Sequence, residues 1–178
     1  MHVANNSVSL FFSWESLGDL EIGRPNLGLM APVLIYRLMH YSVKAVLGEK
    51  FGPEATKEIF IKAGQVAGET FCHHLLNTRL TLDEFLVELK KKLLDWKIGI
   101  LEIEDIQRHS MDMTLTVAED LDCSGLPVSD KTFCDYDEGF LAGILKVYTG
   151  RDFLVEEIDC WATGDRVCRF RVKIQDVT

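Results

Sequence analysis

The chain carries five cysteines, at positions 72, 123, 134, 160 and 168, and three of them are placed where a fold can gather them. Cys160 and Cys168 are symmetric about Gly164 in the turn Ala162-Thr163-Gly164-Asp165. An antiparallel hairpin makes them cross-strand partners, with Cβ atoms roughly 4.5–5.5 Å apart. Alternation along the last strand puts Cys168, Phe170 and Val172 on the buried face and Arg169, Arg171 and Lys173 outside. Cys134 sits at the start of a predicted helix near the candidate caps Asp130 and Thr132, where the helix dipole favours a thiolate. Three convergent sulfurs suit zinc, and a structural site takes a fourth ligand. Glu156, Glu157 and Asp159 are the nearest acidic candidates. Strict alternation favours Glu156, because it sets Glu157 opposite Cys160 unless a bulge intervenes. The competing reading is that these cysteines are small buried hydrophobes, since a C-x7-C spacing lacks the C-x2-C knuckle of the common zinc motifs. Cys72 and Cys123 have no partner in either reading.

Other chemistry is weaker. His73 and His74 diverge by about 100° on a helix and cannot chelate from one face, and His40 stands alone on an apolar stripe. Trp14, Trp96 and Trp161, with Phe60, Phe71, Phe85, Phe140 and Tyr148, form either core or the lining of a cavity. Lys90-Lys91-Lys92 reads as a solvated helix face. There is no G-x-G-x-x-G after a strand, no phosphate-binding G-x-x-x-x-G-K-[ST] loop and no G-x-S-x-G elbow. Nothing in the motifs supports an enzyme, and no catalytic residue is assigned.

The elements that must position these residues follow from periodicity. Residues 7–14 suggest a strand, and Gly18 to Gly28 a loop. Leu34, Ile35, Leu38, Met39, Val43, Val46 and Leu47 repeat at helical spacing from Pro32, with Gly48 as the expected stop. A second helix starts at Pro53 and runs to about Leu76. A third follows the capping box Thr81/Glu84 and ends near Trp96. Strands are expected over Ile98 to Glu104 and Met111 to Val117, then a turn at Ser124-Gly125-Leu126-Pro127. A fourth helix spans about Lys131 to Tyr148, ended by Gly150, and the last strands run from Phe153 to Cys160 and Val167 to Val172. Gly64/Gly68 and Gly139/Gly143 are each four apart, hence on one helix face, where another element can approach closely. The order β-α-α-α-β-β-α-β-β, with short links between strands, predicts an α+β fold: an antiparallel sheet with helices packed on one side.

Composition limits the partners. The chain has 178 residues, 19 Lys+Arg against 28 Asp+Glu and a net charge of −9. Such a surface repels phosphate backbones, so nucleic acid is not an expected partner. No run of apolar residues is long enough to span a membrane, and the first residues show no signal-peptide pattern. With an odd cysteine count this points to a reducing, cytoplasmic setting.

The segment Cys134-Asp-Tyr-Asp-Glu-Gly-Phe-Leu-Ala-Gly, then Gly150-Arg151, then Glu157-Ile-Asp-Cys160-Trp-Ala-Thr-Gly-Asp-Arg-Val-Cys168-Arg-Phe170, resembles the vinyl-4-reductase (4-vinyl reductase) domain family. That domain also serves as the sensory module of phenol-responsive bacterial activators and is distantly related to the small subunits of the TRAPP vesicle-tethering complex. Gly52-Pro-Glu-Ala and Gly64-x-x-x-Gly68 resemble the family's preceding helices. The resemblance implies that Cys134, Glu157, Cys160 and Cys168 bind one structural zinc, following Cys-x22-Glu-x2-Cys-x7-Cys, with a strand distortion at Ile158-Asp159. It implies a homodimer whose apolar pocket holds a small hydrophobic molecule, with Phe60, Trp96, Phe140 and Tyr148 as candidate ligand-binding residues. Where the phenol sensors carry a His before the first sheet strand and a Trp in the next, this chain has Asp95-Trp96 and Ala118-Glu119. The expected organisation is a strand and loop over 1–28, then a ligand-binding domain over 29–175. The expected role is a zinc-stabilised sensor or carrier acting through a partner protein. The alternatives are a protein-interaction scaffold and an accessory or chaperone protein in tetrapyrrole vinyl reduction.

Overall fold

The structure is a computed structural model and describes residues 12–175. The chain divides into two compact units, Met1–Ala31 and Pro32–Thr178. In the first, a 3-10 helix covers Trp14–Leu17 and a one-turn helix, α1, covers Leu20–Gly23. The Asp19 carboxylate caps α1 by accepting the Ile22 N–H at 3.0 Å. Residues 7–11 of the expected first strand lie outside the described residues. The remaining three, 12–14, are not strand. The expected loop from Gly18 to Gly28 contains α1, a turn too short to announce itself by periodicity.

In the second unit α2 (Val33–Phe51) and α3 (Pro53–Leu75) are joined by Gly52 alone. Gly52 has φ +82°, a backbone state that side chains disfavour. The helix does not stop at Gly48 as expected, because a glycine ends a helix only where the chain turns left-handed. Here that turn falls four residues later. α4 (Leu82–Asp95) begins with the predicted capping box, in which the Glu84 carboxylate accepts the Thr81 N–H at 3.0 Å. Four strands follow: β1 (Ile100–Gln107), β2 (Asp112–Ala118), β3 (Phe153–Asp159) and β4 (Cys168–Ile174), with α5 (Asp135–Thr149) between β2 and β3. The sheet is antiparallel, in the order β1-β2-β4-β3. The architecture is α+β. No helix among the described residues is long and apolar enough to cross a membrane.

α5 packs against both α3 and β3, and α4 against β1. The α3–α5 approach depends on the two glycine pairs. A Cβ on Gly139 would lie 2.8 Å from the backbone of Ile61 and Gln65, and one on Gly68 would lie 2.8 Å from the Phe140 carbonyl carbon. The core is built from Phe85, Leu89, Leu93, Leu101, Leu115, Ile144, Leu145, Phe170 and Val172, all essentially inaccessible. The cysteines that matter sit at the end of this core, where α5 begins and β4 starts.

Candidate metal centre

Each cysteine reaches the site by a different local device. Cys160 follows β3 and caps a 3-10 turn at Trp161–Thr163, and Gly164 closes it with φ +103°. The Cys160 carbonyl accepts from the N–H groups of Thr163 and Asp165 at 3.0 and 3.2 Å. Cys168 opens β4 and pairs with Val117 of β2. Between β3 and β4 the register shifts between Glu157 and Asp159, so Ile158 takes the extra place of a bulge. This is the distortion the resemblance implied. It lets Glu157 and Cys160 both be buried despite their odd separation.

Cys134 occupies the N-cap of α5. Its N–H donates to Glu157 Oε2 at 3.0 Å and the Phe133 N–H donates to the same oxygen at 3.2 Å. Glu157 thereby ties β3 to the start of α5. Glu157's own N–H donates to Glu138 Oε1 at 2.8 Å, which locks the same strand one turn further along the helix.

A fourth cysteine arrives from the segment between β2 and α5. Asp120 Oδ1 accepts the N–H groups of Asp122 and Cys123 at 2.8 and 2.9 Å, a side-chain-closed turn that aims Cys123 inward. The segment is held at one end by Leu121 N–H to Ile98 O at 2.9 Å and further on by Ser129 N–H to Ala162 O at 2.6 Å.

The result is a buried group of Cys123, Cys134, Cys160 and Cys168, their sulfurs all within 4.8 Å of one another. Cys123 Sγ lies 2.9 Å from Cys168 Sγ, and Cys134 Sγ lies 3.6 Å from Cys168 Sγ and 4.0 Å from Cys160 Sγ. All four residues are fully inaccessible, and none forms a disulfide. Tetrahedral zinc thiolate, with Zn–S near 2.3 Å, places sulfurs about 3.8 Å apart, which lies within the observed spread. The donor set fits a single soft ion. Contacts with Cys123, Cys160 and Cys168, then burial, hold the Cys134 thiol protonated, whereas the contacts of Cys160 with the other three favour its thiolate. Burial pushes the Glu157 carboxyl up to about 8, opposed by the bonds from Cys134. Glu157 Oε1 has no hydrogen-bond partner among the described residues.

Of the four expected ligands, Cys134, Cys160 and Cys168 therefore converge. Glu157 stands at the edge of the group, with one oxygen occupied by two backbone N–H groups. Cys123 is the residue the sequence reading left without a partner; its only local signal is the Asp120-Leu-Asp-Cys123 turn pattern.

The candidate ligand-binding aromatics are dispersed. Phe60 lines a cavity between α2, α3 and α5. Phe140 is buried and packs edge-on against Phe71 at 5.2 Å. Trp96 is half exposed and meets the other side of Phe71 at 5.7 Å. Tyr148 stacks on Phe85 at 3.9 Å and donates its hydroxyl to Leu80 O at 3.1 Å, which are core contacts.

Comparison with known proteins agrees with this architecture. The vinyl-4-reductase domain model matches residues 113–174, the span from β2 to the end of β4. Two uncharacterized proteins of Methanocaldococcus jannaschii are similar in sequence. One is 29% identical over 91% of this chain and 88% of its own length. The other is 28% identical over 50% of this chain and 53% of its own length. Among solved structures, a vinyl-4-reductase family protein from the same organism superposes with a TM-score of 0.64 at 19% identity, covering 94% of this chain and 99% of that one. The phenol-responsive sensory domain of the transcription activator PoxR, solved with phenol, gives 0.66 at 13% identity over 83% and 76%. A trafficking protein particle complex subunit 3 from Naegleria fowleri, covalently bound to palmitic acid, gives 0.66 at 11% over 81% and 95%. The chain belongs to the vinyl-4-reductase domain family, with residues 113–174 as the matched domain.

Proposed function

We propose that this chain is a metal-stabilised vinyl-4-reductase-type module that binds a small hydrophobic molecule as a sensor or carrier, its ligand-binding domain spanning 29–175. The observation that carries the metal part is the convergence of four fully buried sulfurs from three separate segments. Bound there, zinc would supply a structural cross-link with no open coordination position. Cys123, Cys134, Cys160 and Cys168 would hold it. Glu157 would fix the backbone that presents Cys134. The ligand part is supported by the fold shared with a phenol-bound sensory domain and a palmitate-bound subunit. A homodimer, and a partner protein that receives the output, are part of this reading. Leu34, Ile35, Leu38, Met39, Val43 and Val46 are exposed at helical spacing along α2, an apolar row that a second copy would cover. No catalytic residue is proposed.

Elemental analysis of the purified chain and of two variants tests the metal reading. About one zinc per chain is expected. Cys123→Ser should lose it, and Glu157→Gln should retain it while weakening the fold. Loss in Glu157→Gln with retention in Cys123→Ser would instead select the three-cysteine and glutamate set. Absence of stoichiometric metal from the parent protein would remove the proposal's foundation.

A further inference from the structure

One buried polar chain is left unused by the metal reading. A cavity of about 230 Å³ lies between α2, α3 and α5, lined by apolar and aromatic side chains that include Val43, Phe60, Ala63 and Tyr136. Two of its lining residues, Tyr36 and His40, are polar. The Tyr36 hydroxyl donates to Asp122 Oδ1 at 2.6 Å. Its single proton is thereby committed. The 3.3 Å contact between the Tyr36 oxygen and His40 Nδ1 must then be donated by Nδ1–H. Burial lowers the His40 pKa, so the ring is neutral and carries only that one N–H. His40 Nε2 is therefore a bare acceptor. His40 is 6% exposed, and Nε2 has no hydrogen-bond partner among the described residues. Buried acceptors are ordinarily paired, and the apolar groups around this ring, with Phe60 edge-on at 5.0 Å, offer nothing to pair with.

We propose that this cavity is a binding site for a compact apolar molecule carrying one hydrogen-bond donor, an O–H or N–H that His40 Nε2 accepts. The inference rests on the ligand-binding part of the proposed function and assigns it a place and a recognition chemistry. An apolar cavity of about 150 Å³ admits benzene, so this one suits a bicyclic or substituted ring on the order of ten non-hydrogen atoms. Phe60 and Tyr136 supply the ring faces, and the Tyr36–Asp122 bond holds the His40 tautomer that makes the site an acceptor. A ligand without a donor would fill the same space but leave Nε2 unpaired.

Indole and benzothiophene test this, because they match in shape and differ in the N–H. Calorimetric titration of the full chain should show saturable indole binding, with benzothiophene roughly tenfold weaker. His40→Phe, which keeps a ring and deletes the acceptor, should remove that difference. Ala63→Trp, introduced from an exposed position on α3, should block both ligands without touching the core. Equal affinity for the two probes in the parent protein would overturn the acceptor assignment. Saturable binding indifferent to both variants would overturn this site while leaving the ligand-binding reading intact. No saturable binding of either probe would overturn the site, and failure across a wider panel of apolar molecules would overturn the reading beneath it. Metal content in the same samples reports the metal centre separately.

Discussion

Replacing Gly139 by alanine should destabilise this protein far more than a single methyl ordinarily does. The added Cβ would lie 2.8 Å from Ile61 C and Gln65 N, and closer still to the Ile61 carbonyl oxygen. Ordinary contact begins near 3.4 Å. Every one of these atoms is backbone of α3, so no rotamer change relieves the clash. α3 and α5 must part by about 1 Å, over an interface that closes at four glycines rather than one. Overpacking typically costs about 1–3 kcal/mol, and a rigid-backbone clash belongs at or above the top of that range, about 3 kcal/mol. For a chain of this size that lowers Tm by about 6–12 °C. Gly48→Ala is the matched control. It also lies inside a helix, but its Cβ would meet nothing nearer than Thr56 Oγ1 at 4.0 Å. It should stabilise by about 0.5–1 kcal/mol, since glycine is the poorer helix former. Thermal unfolding followed by circular dichroism measures both. A Tm drop below about 2 °C for Gly139→Ala, or a larger drop for Gly48→Ala, would refute the account of how the helices meet. Metal content then tells which helix yields: α5 carries Cys134, α3 carries none of the four cysteines, and metal–sulfur bonds tolerate only about 0.2 Å.

Burial raises the Cys72 thiol to about 11 from its usual 9.0. The folded state therefore keeps this proton over a range where the unfolded state loses it, and stability should fall between pH 9 and 11 by about 2–3 kcal/mol. In Cys72→Ala that part of the decline should vanish in urea titrations across this range; an unchanged decline would refute it. Arg169 bonds the Glu104 carboxylate through two nitrogens at 2.8 and 3.0 Å and also meets Asp159, yet the group is solvent-screened. Arg169→Ala should change stability by no more than about 1 kcal/mol, and a larger loss by the same titration would show the network to be structural.

The local devices of the site were legible in the chain. A four-residue turn centred near Gly164 is specified by residues adjacent in sequence, so the pairing of Cys160 with Cys168 and the inward row Cys168, Phe170 and Val172 could be read from alternation alone. The Thr81/Glu84 box and the glycine pairs were readable for the same reason: periodicity puts their side chains on known faces. Glu157 was not decided by alternation, because one inserted residue in β3 reverses the face.

What only the tertiary structure decided is the fourth sulfur and the acceptor. Cys123 belongs to a segment without periodicity, and its direction is set by Asp120 and by bonds to Ile98 and Ala162, residues remote in sequence. His40 looked like an isolated polar interruption of an apolar stripe. Its tautomer depends on Tyr36 meeting Asp122, 86 residues away. Sequence patterning settles which face a residue takes within an element, since that needs only the helical or strand period. Which side chains from different elements end within bonding distance is fixed by packing, and no local period encodes it.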